Sequence, residues 1–95
     1  MAIYVETRIR DASHEQHDAL DAAVETAMRA GGGPPEGLMV HLARPDGDGF
    51  LLCDVWRSEV DMRRFHDAVL LPALAEAGLE HESPRISPLW SLARP

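Results

Sequence analysis

The stretch Phe50-Leu51-Leu52-Cys53-Asp54-Val55-Trp56 is apolar on both sides of an extended chain, interrupted by a single carboxylate. A strand with that pattern must be covered on both faces. The other segments sort around it. Residues 2–9 alternate, with Ile3, Val5, Thr7 and Ile9 on one side and Tyr4, Glu6 and Arg8 on the other. That is the period of a half-buried strand. Leu20, Ala23, Val24, Ala27 and Met28 recur at three and four residues, the stripe of an amphipathic helix. Ser13 and Gln16 have capping-box spacing at its start, and Gly31-Gly32-Gly33-Pro34-Pro35 stops it.

Residues 38–43 read as a second strand, and residues 44–49 as a hairpin loop rich in turn formers. Ser58 caps a second helix, with Asp61 three residues on. Met62, Phe65, Val69, Ala73, Leu74 and Ala77 form its buried stripe, and Gly78 ends it. Pro72 lies inside this pattern and predicts a kink near Leu70. Residues 85–93 alternate again and close the chain as a strand, with Pro88 marking an edge or a bulge.

The order is β-α-β-β-α-β, an α+β arrangement of the ferredoxin-like kind. Residues 1–95 form a single domain, since 95 residues support one modest core. Two helices cover one face of a four-stranded antiparallel sheet. The other face carries some of Met39, Leu52, Leu89 and Trp56, or their neighbours one residue along, and no segment remains to cover it. An apolar sheet face of that size marks an association surface. A homodimer packing sheet on sheet is the simplest solution.

Composition narrows the function. The net charge is −7, so the chain lacks the basic face that nucleic acid or an anionic membrane requires. No apolar run approaches a membrane span, and the start, Met-Ala-Ile-Tyr-Val-Glu, has no signal-peptide pattern. Cys53 is the single cysteine, which fits a reducing compartment and a small buried side chain. The reading is a cytoplasmic protein. The glycine run follows a helix and precedes no Gly-Lys-Ser/Thr, so it is a linker and not a phosphate loop. Asp46-Gly47-Asp48-Gly49 is not an EF-hand loop, because its twelfth position is Arg57 and not Glu.

The element order, the uncovered face and the junction Asp54-Val55-Trp56-Arg57-Ser58-Glu59 resemble the dimeric α+β barrel superfamily, in its antibiotic-biosynthesis-monooxygenase-like group. Residues 70–78, Leu-Leu-Pro-Ala-Leu-Ala-Glu-Ala-Gly, resemble small members of that group. The resemblance implies a dimeric α+β barrel and a pocket lined by a Trp, here Trp56. Its enzymes include cofactor-free oxygenases of phenolic polyketides and haem-degrading relatives, alongside isomerases and cyclases. An Asn on a strand often joins the Trp; here the matching candidate is His41. Many members carry a His on the second helix. Phe65 stands nine residues after Trp56, where that His is expected, and His66 is one later.

His41 lies in an otherwise apolar strand and suits proton transfer near neutrality. It is a general base or a satisfied sheet histidine, according to which way it points. If Ala43 pairs with Phe50, then His41, Asp54 and Trp56 share a face; a slip of one residue separates them. On a shared face Asp54 orients the His41 base; otherwise it is a structural acceptor. Trp56, Phe65, His66, Trp90 and Tyr4 are candidate pocket residues, with packing as the alternative for both tryptophans. His14 and His17 are three apart on a helix, but as surface histidines near a helix start they are assigned no metal. The leading reading is a small cofactor-independent tailoring enzyme, monooxygenase-like or a cyclase or isomerase. Its substrate is a hydrophobic aromatic or polyketide-type molecule. The alternative is a non-catalytic dimeric small-molecule-binding or assembly protein.

Overall fold

The computed structural model describes residues 1–95. The chain runs β1 (Ile3–Arg10), α1 (His14–Ala30), β2 (Leu38–Asp46), β3 (Gly49–Trp56), α2 (Glu59–Phe65), a π-helical turn (His66–Leu70), α3 (Leu71–Ala77), β4 (Glu80–His81) and β5 (Arg85–Pro88). The antiparallel sheet has the order β2-β3-β1, with β4 and β5 both pairing the free edge of β1. This is the α+β, ferredoxin-like arrangement expected, with the fourth strand broken in two.

Local chemistry places the helices. Ser13 and Gln16 complete a capping box: the Gln16 amide donates to Ser13 Oγ at 3.1 Å, and the Ser13 amide donates to Gln16 Oε1 at 2.8 Å. Ser58 Oγ accepts from the Asp61 amide at 3.2 Å. Leu20 of α1, Met62 of α2, Leu70 of the π turn and Leu74 of α3 bury themselves against the sheet. Ile3, Val5, Thr7 and Ile9 meet them from β1, and Phe50, Leu52, Asp54 and Trp56 from β3.

The second helix does not kink smoothly. The Leu71 amide donates to His66 O, one residue further back than an α-helix allows. Pro72 has no N–H to give, so the π turn ends just before it. Pro72 then opens α3, where a missing donor is harmless.

Three expectations need correction. The hairpin loop has not six residues but two, Gly47 and Asp48, because Asp46 pairs Gly49. Gly47 takes φ +57°, the left-handed value that a two-residue hairpin turn requires. Pro45 is therefore inside β2, which is tolerated because β2 is an edge strand. The register is thus two residues from the one considered: Ala43 pairs Leu52, and Pro45 pairs Phe50. A shift of two preserves which face each side chain takes.

The last strand stops at Pro88 and does not reach Ala93. The Leu89 amide still donates to Ala2 O at 3.1 Å, and then the chain leaves the ladder. The Arg94 guanidinium donates to Met39 O on β2, at the opposite edge of the sheet.

The face without helices is also smaller than expected. It carries Val40, Leu42, Leu51, Cys53 and Val55, the neighbours of Leu52 and Trp56. Leu51, Cys53 and Val55 are already buried within the chain, whereas Leu42 is 49% exposed. Central strands are shaded from both sides by cross-strand neighbours; Leu42, on the edge strand, is shaded from one.

Candidate functional site

His41 and Asp54 are directly opposed across β2 and β3. His41 Nδ1 lies 2.6 Å from Asp54 Oδ1. The Asp54 side chain is 7% exposed and that of His41 41% exposed. A carboxylate accepts only, so Nδ1 carries the proton it donates, and Nε2 is left as the free acceptor. The hydrogen bond to Asp54 raises the pKa of His41 above its ordinary value, against the opposing effect of burial.

A one-residue irregularity builds this pair into the helix-covered side. Leu38 pairs Trp56 and Val40 pairs Val55, so Met39 is an extra residue in β2. Leu38 and His41 are three apart, an odd spacing that would otherwise send them to opposite faces. The bulge brings both to the side of Trp56 and Asp54.

A cavity of about 140 Å³ lies between α1 and the sheet. Leu38, His41, Leu52, Asp54, Trp56 and Phe65 line it, and Leu20, Val24, Met28 and Leu70 complete its apolar wall. Phe65 packs against Trp56 with ring centroids 5.5 Å apart. Apolar walls with a few convergent polar groups are the character of a small-molecule site. His17 and Asp21 of α1 also reach this cavity. Sequence reasoning did not place them there, although His17, Leu20, Asp21, Val24 and Met28 recur at helical spacing on one face.

The remaining candidates fall elsewhere. Tyr4 pairs Val55 and lies on the opposite face of the sheet from Asp54 and Trp56. Its hydroxyl donates to Glu6 Oε2 at 2.8 Å. Cys53, and then Glu6, hold the Tyr4 phenol above its ordinary pKa. Trp90 lies beyond the last strand and is 97% exposed. The alternation of residues 85–93 has no strand to support it past Pro88, so Trp90 is neither core nor cavity wall. His66 is buried at the first position of the π turn and is not among the residues lining the cavity. Desolvation lowers its pKa. His66 Nε2 and Trp56 Nε1 are both buried without a hydrogen-bond partner. Such an orphan costs about 1–3 kcal/mol.

No family model matches the chain, and no curated protein matches it in sequence. Solved structures do match in shape. SnoaB from Streptomyces nogalater, described as a cofactor-independent oxygenase, superposes with a TM-score of 0.62 at 13% identity, covering 96% of this chain and 93% of its own. A Deinococcus radiodurans protein provisionally named an antibiotic biosynthesis monooxygenase gives 0.60 at 18% identity, covering 99% and 97%. Rv0793 from Mycobacterium tuberculosis gives 0.63 at 14% identity, covering 99% and 100%. Likeness at such identities is a likeness of fold. On these superpositions, the chain shares the α+β fold of solved structures that include antibiotic-biosynthesis-monooxygenase-like proteins.

Proposed function

We propose that this protein is a cofactor-independent enzyme that starts its reaction by removing a proton from a hydrophobic, phenolic or enolic small molecule. The observation that carries this is the His41–Asp54 pair, 2.6 Å apart, on the wall of an apolar cavity. In this reading His41 Nε2 takes the proton. Asp54 holds the imidazole in that tautomer and stabilises the imidazolium that forms. Trp56 and Phe65 form the flat wall on which an aromatic ring rests. The carbanion or phenolate then reacts directly with oxygen, or is reprotonated or closed into a ring. The cavity, at about 140 Å³, suits one aromatic ring, since an apolar cavity of about 150 Å³ accepts benzene. The rest of a larger polyketide-type substrate would extend past the exposed edge of His41.

The same proposal includes a homodimer across the helix-free face, where Leu42 stands exposed beside Val40. It also includes a single domain spanning residues 1–95 and a cytoplasmic setting, in keeping with the lone buried Cys53.

The test is a screen of phenolic and enolic compounds without added cofactor, following oxygen uptake and product mass. Active compounds should lose roughly 10²–10⁴-fold in kcat with His41→Ala. The base must be neutral to work. The wild-type rate should therefore rise with pH through a midpoint above the ordinary histidine value of ~6.5. Asp54→Asn removes the main cause of that elevation, so the midpoint should move to lower pH. Full turnover in His41→Ala would end the general-base assignment. An absence of turnover across the panel, with ligands still bound, would favour the non-catalytic binding protein.

A further inference from the structure

A second cavity, of about 220 Å³, opens under the β2–β3 hairpin. It plays no part in the proposed reaction. Ser13, His14 and His17 line one side, and Arg44, Pro45 and Phe50 the other. His14 and His17 belong to its helical wall and Asp18 lies beside them outside the cavity; the ligand atoms of the three lie within 4.8 Å of one another. His14 Nε2 is 3.5 Å from Asp18 Oδ1, and His17 Nδ1 is 3.0 Å from the same oxygen. Donors around a tetrahedral ion with bonds of about 2.1 Å stand about 3.4 Å apart. The His14–Asp18 pair already has that separation, and the His17–Asp18 pair, now hydrogen-bonded, is closer and would open slightly around an ion.

The geometry is supported from two directions. The capping box holds the first turn of α1 in place. The Phe50 ring meets the His17 ring edge-on, with centroids 5.1 Å apart and planes at 85°, which fixes the imidazole. The positive end of the α1 dipole opposes a cation here. Glu15 in the same turn and the net charge of −7 act in the other direction.

We infer that His14, His17 and Asp18 form a binding site for a divalent transition-metal ion of the Zn²⁺ type. Two imidazoles and one carboxylate suit Zn²⁺, Co²⁺ and Ni²⁺ better than Mg²⁺ or Ca²⁺. Three protein ligands leave one position of a four-coordinate ion open to an outside ligand. That is the pattern of a site that takes an exchangeable ligand, not of a closed structural site. The sequence alone assigned no metal here, because histidines near a helix start are commonly plain surface residues.

The test uses tag-free, chelator-treated full-length protein titrated with Zn²⁺ by calorimetry and with Co²⁺ by visible absorption. One ion per chain is expected. His14→Ala and His17→Ala should each weaken binding by at least about tenfold, the loss that even an outer-shell change can cause. His41→Ala should bind as wild type does, because the His41–Asp54 pair belongs to the other cavity. In the unmutated protein, Zn²⁺ should shift the imidazole resonances of His14 and His17 and no others. This readout does not depend on any variant folding. Absence of binding up to about 1 mM Zn²⁺, undiminished affinity in either the His14→Ala or the His17→Ala variant, or resonance shifts centred on His41 would each overturn the assignment.

Discussion

His41 and His66 are 25 positions apart in the sequence and have opposite environments. Asp54 raises the pKa of His41; burial lowers that of His66. Their contributions to stability therefore run in opposite directions with pH. The stabilisation from His41 is full below the unfolded value of ~6.5 and is lost as pH rises through its higher folded value. For His66 the stabilising condition lies above ~6.5. As pH falls below that toward its lower folded value, the unfolded chain takes up the proton first and stability is lost. His66→Leu should remove this acid-side loss while filling similar space. Thermal melts between pH 5 and 7.5 should show a flatter acid limb for the variant. At neutral pH the variant should be equal to wild type or more stable by about 1 kcal/mol, because an unpartnered buried nitrogen is removed. A wild-type acid limb retained in the variant would mean that another group controls it.

Between the elements, one close approach at a left-handed residue lies where β2 begins. Gly37 has φ +86°, and a Cβ there would collide with the Asp61 side chain. Asp61 is held by Ser58 Oγ at the start of α2, and the Arg57 amide donates to Gly37 O at 2.8 Å. One glycine thus ties the start of β2 to the β3–α2 junction. Gly37→Ala should cost about 1–3 kcal/mol. In a domain of this size each kcal/mol lowers Tm by roughly 4–8 °C. A variant melting within a degree or so of wild type would show that the junction relaxes freely. The π turn belongs to this scale as well. Pro72 in the sequence announces a break, but not that one residue is inserted before it and His66 turned inward.

For the whole molecule, the proposed dimer makes the helix-free face a testable surface. The proposed dimer uses Val40 and Leu42 from the edge strand, and Leu42 is half exposed in the single chain. Sedimentation of the wild type should give a dimer at micromolar concentration. Leu42→Arg should shift it to monomer and lower Tm by the stabilisation that association supplies, since burying an unpaired guanidinium at an interface is costly. A wild-type monomer would reject sheet-on-sheet pairing. Because Leu51, Cys53 and Val55 are already buried, much of the apolar drive that the sequence suggests is satisfied within one chain.

Periodicity and caps determined a good deal unaided. The alternation of residues 3–9, the Leu20–Met28 stripe, the Ser13–Gln16 and Ser58–Asp61 caps and the glycine stops specify elements, because each depends on neighbours within a few residues. These also carry the β-α-β-β-α-β order. The tertiary structure alone decided which side chains meet. Hairpin register depends on a turn of two residues instead of six, and the Met39 bulge then changes which face Leu38 takes. Both result from competing long-range pairings of nearly equal local cost. Alternation did put Tyr4 with Glu6 and Arg8, away from the apolar side of β1, but it could not exclude Trp90, because the pattern continues past Pro88 where the ladder stops. Spacing puts Asp18 one turn from His14, but does not show that its carboxylate also meets the His17 ring, which packs against Phe50 of β3.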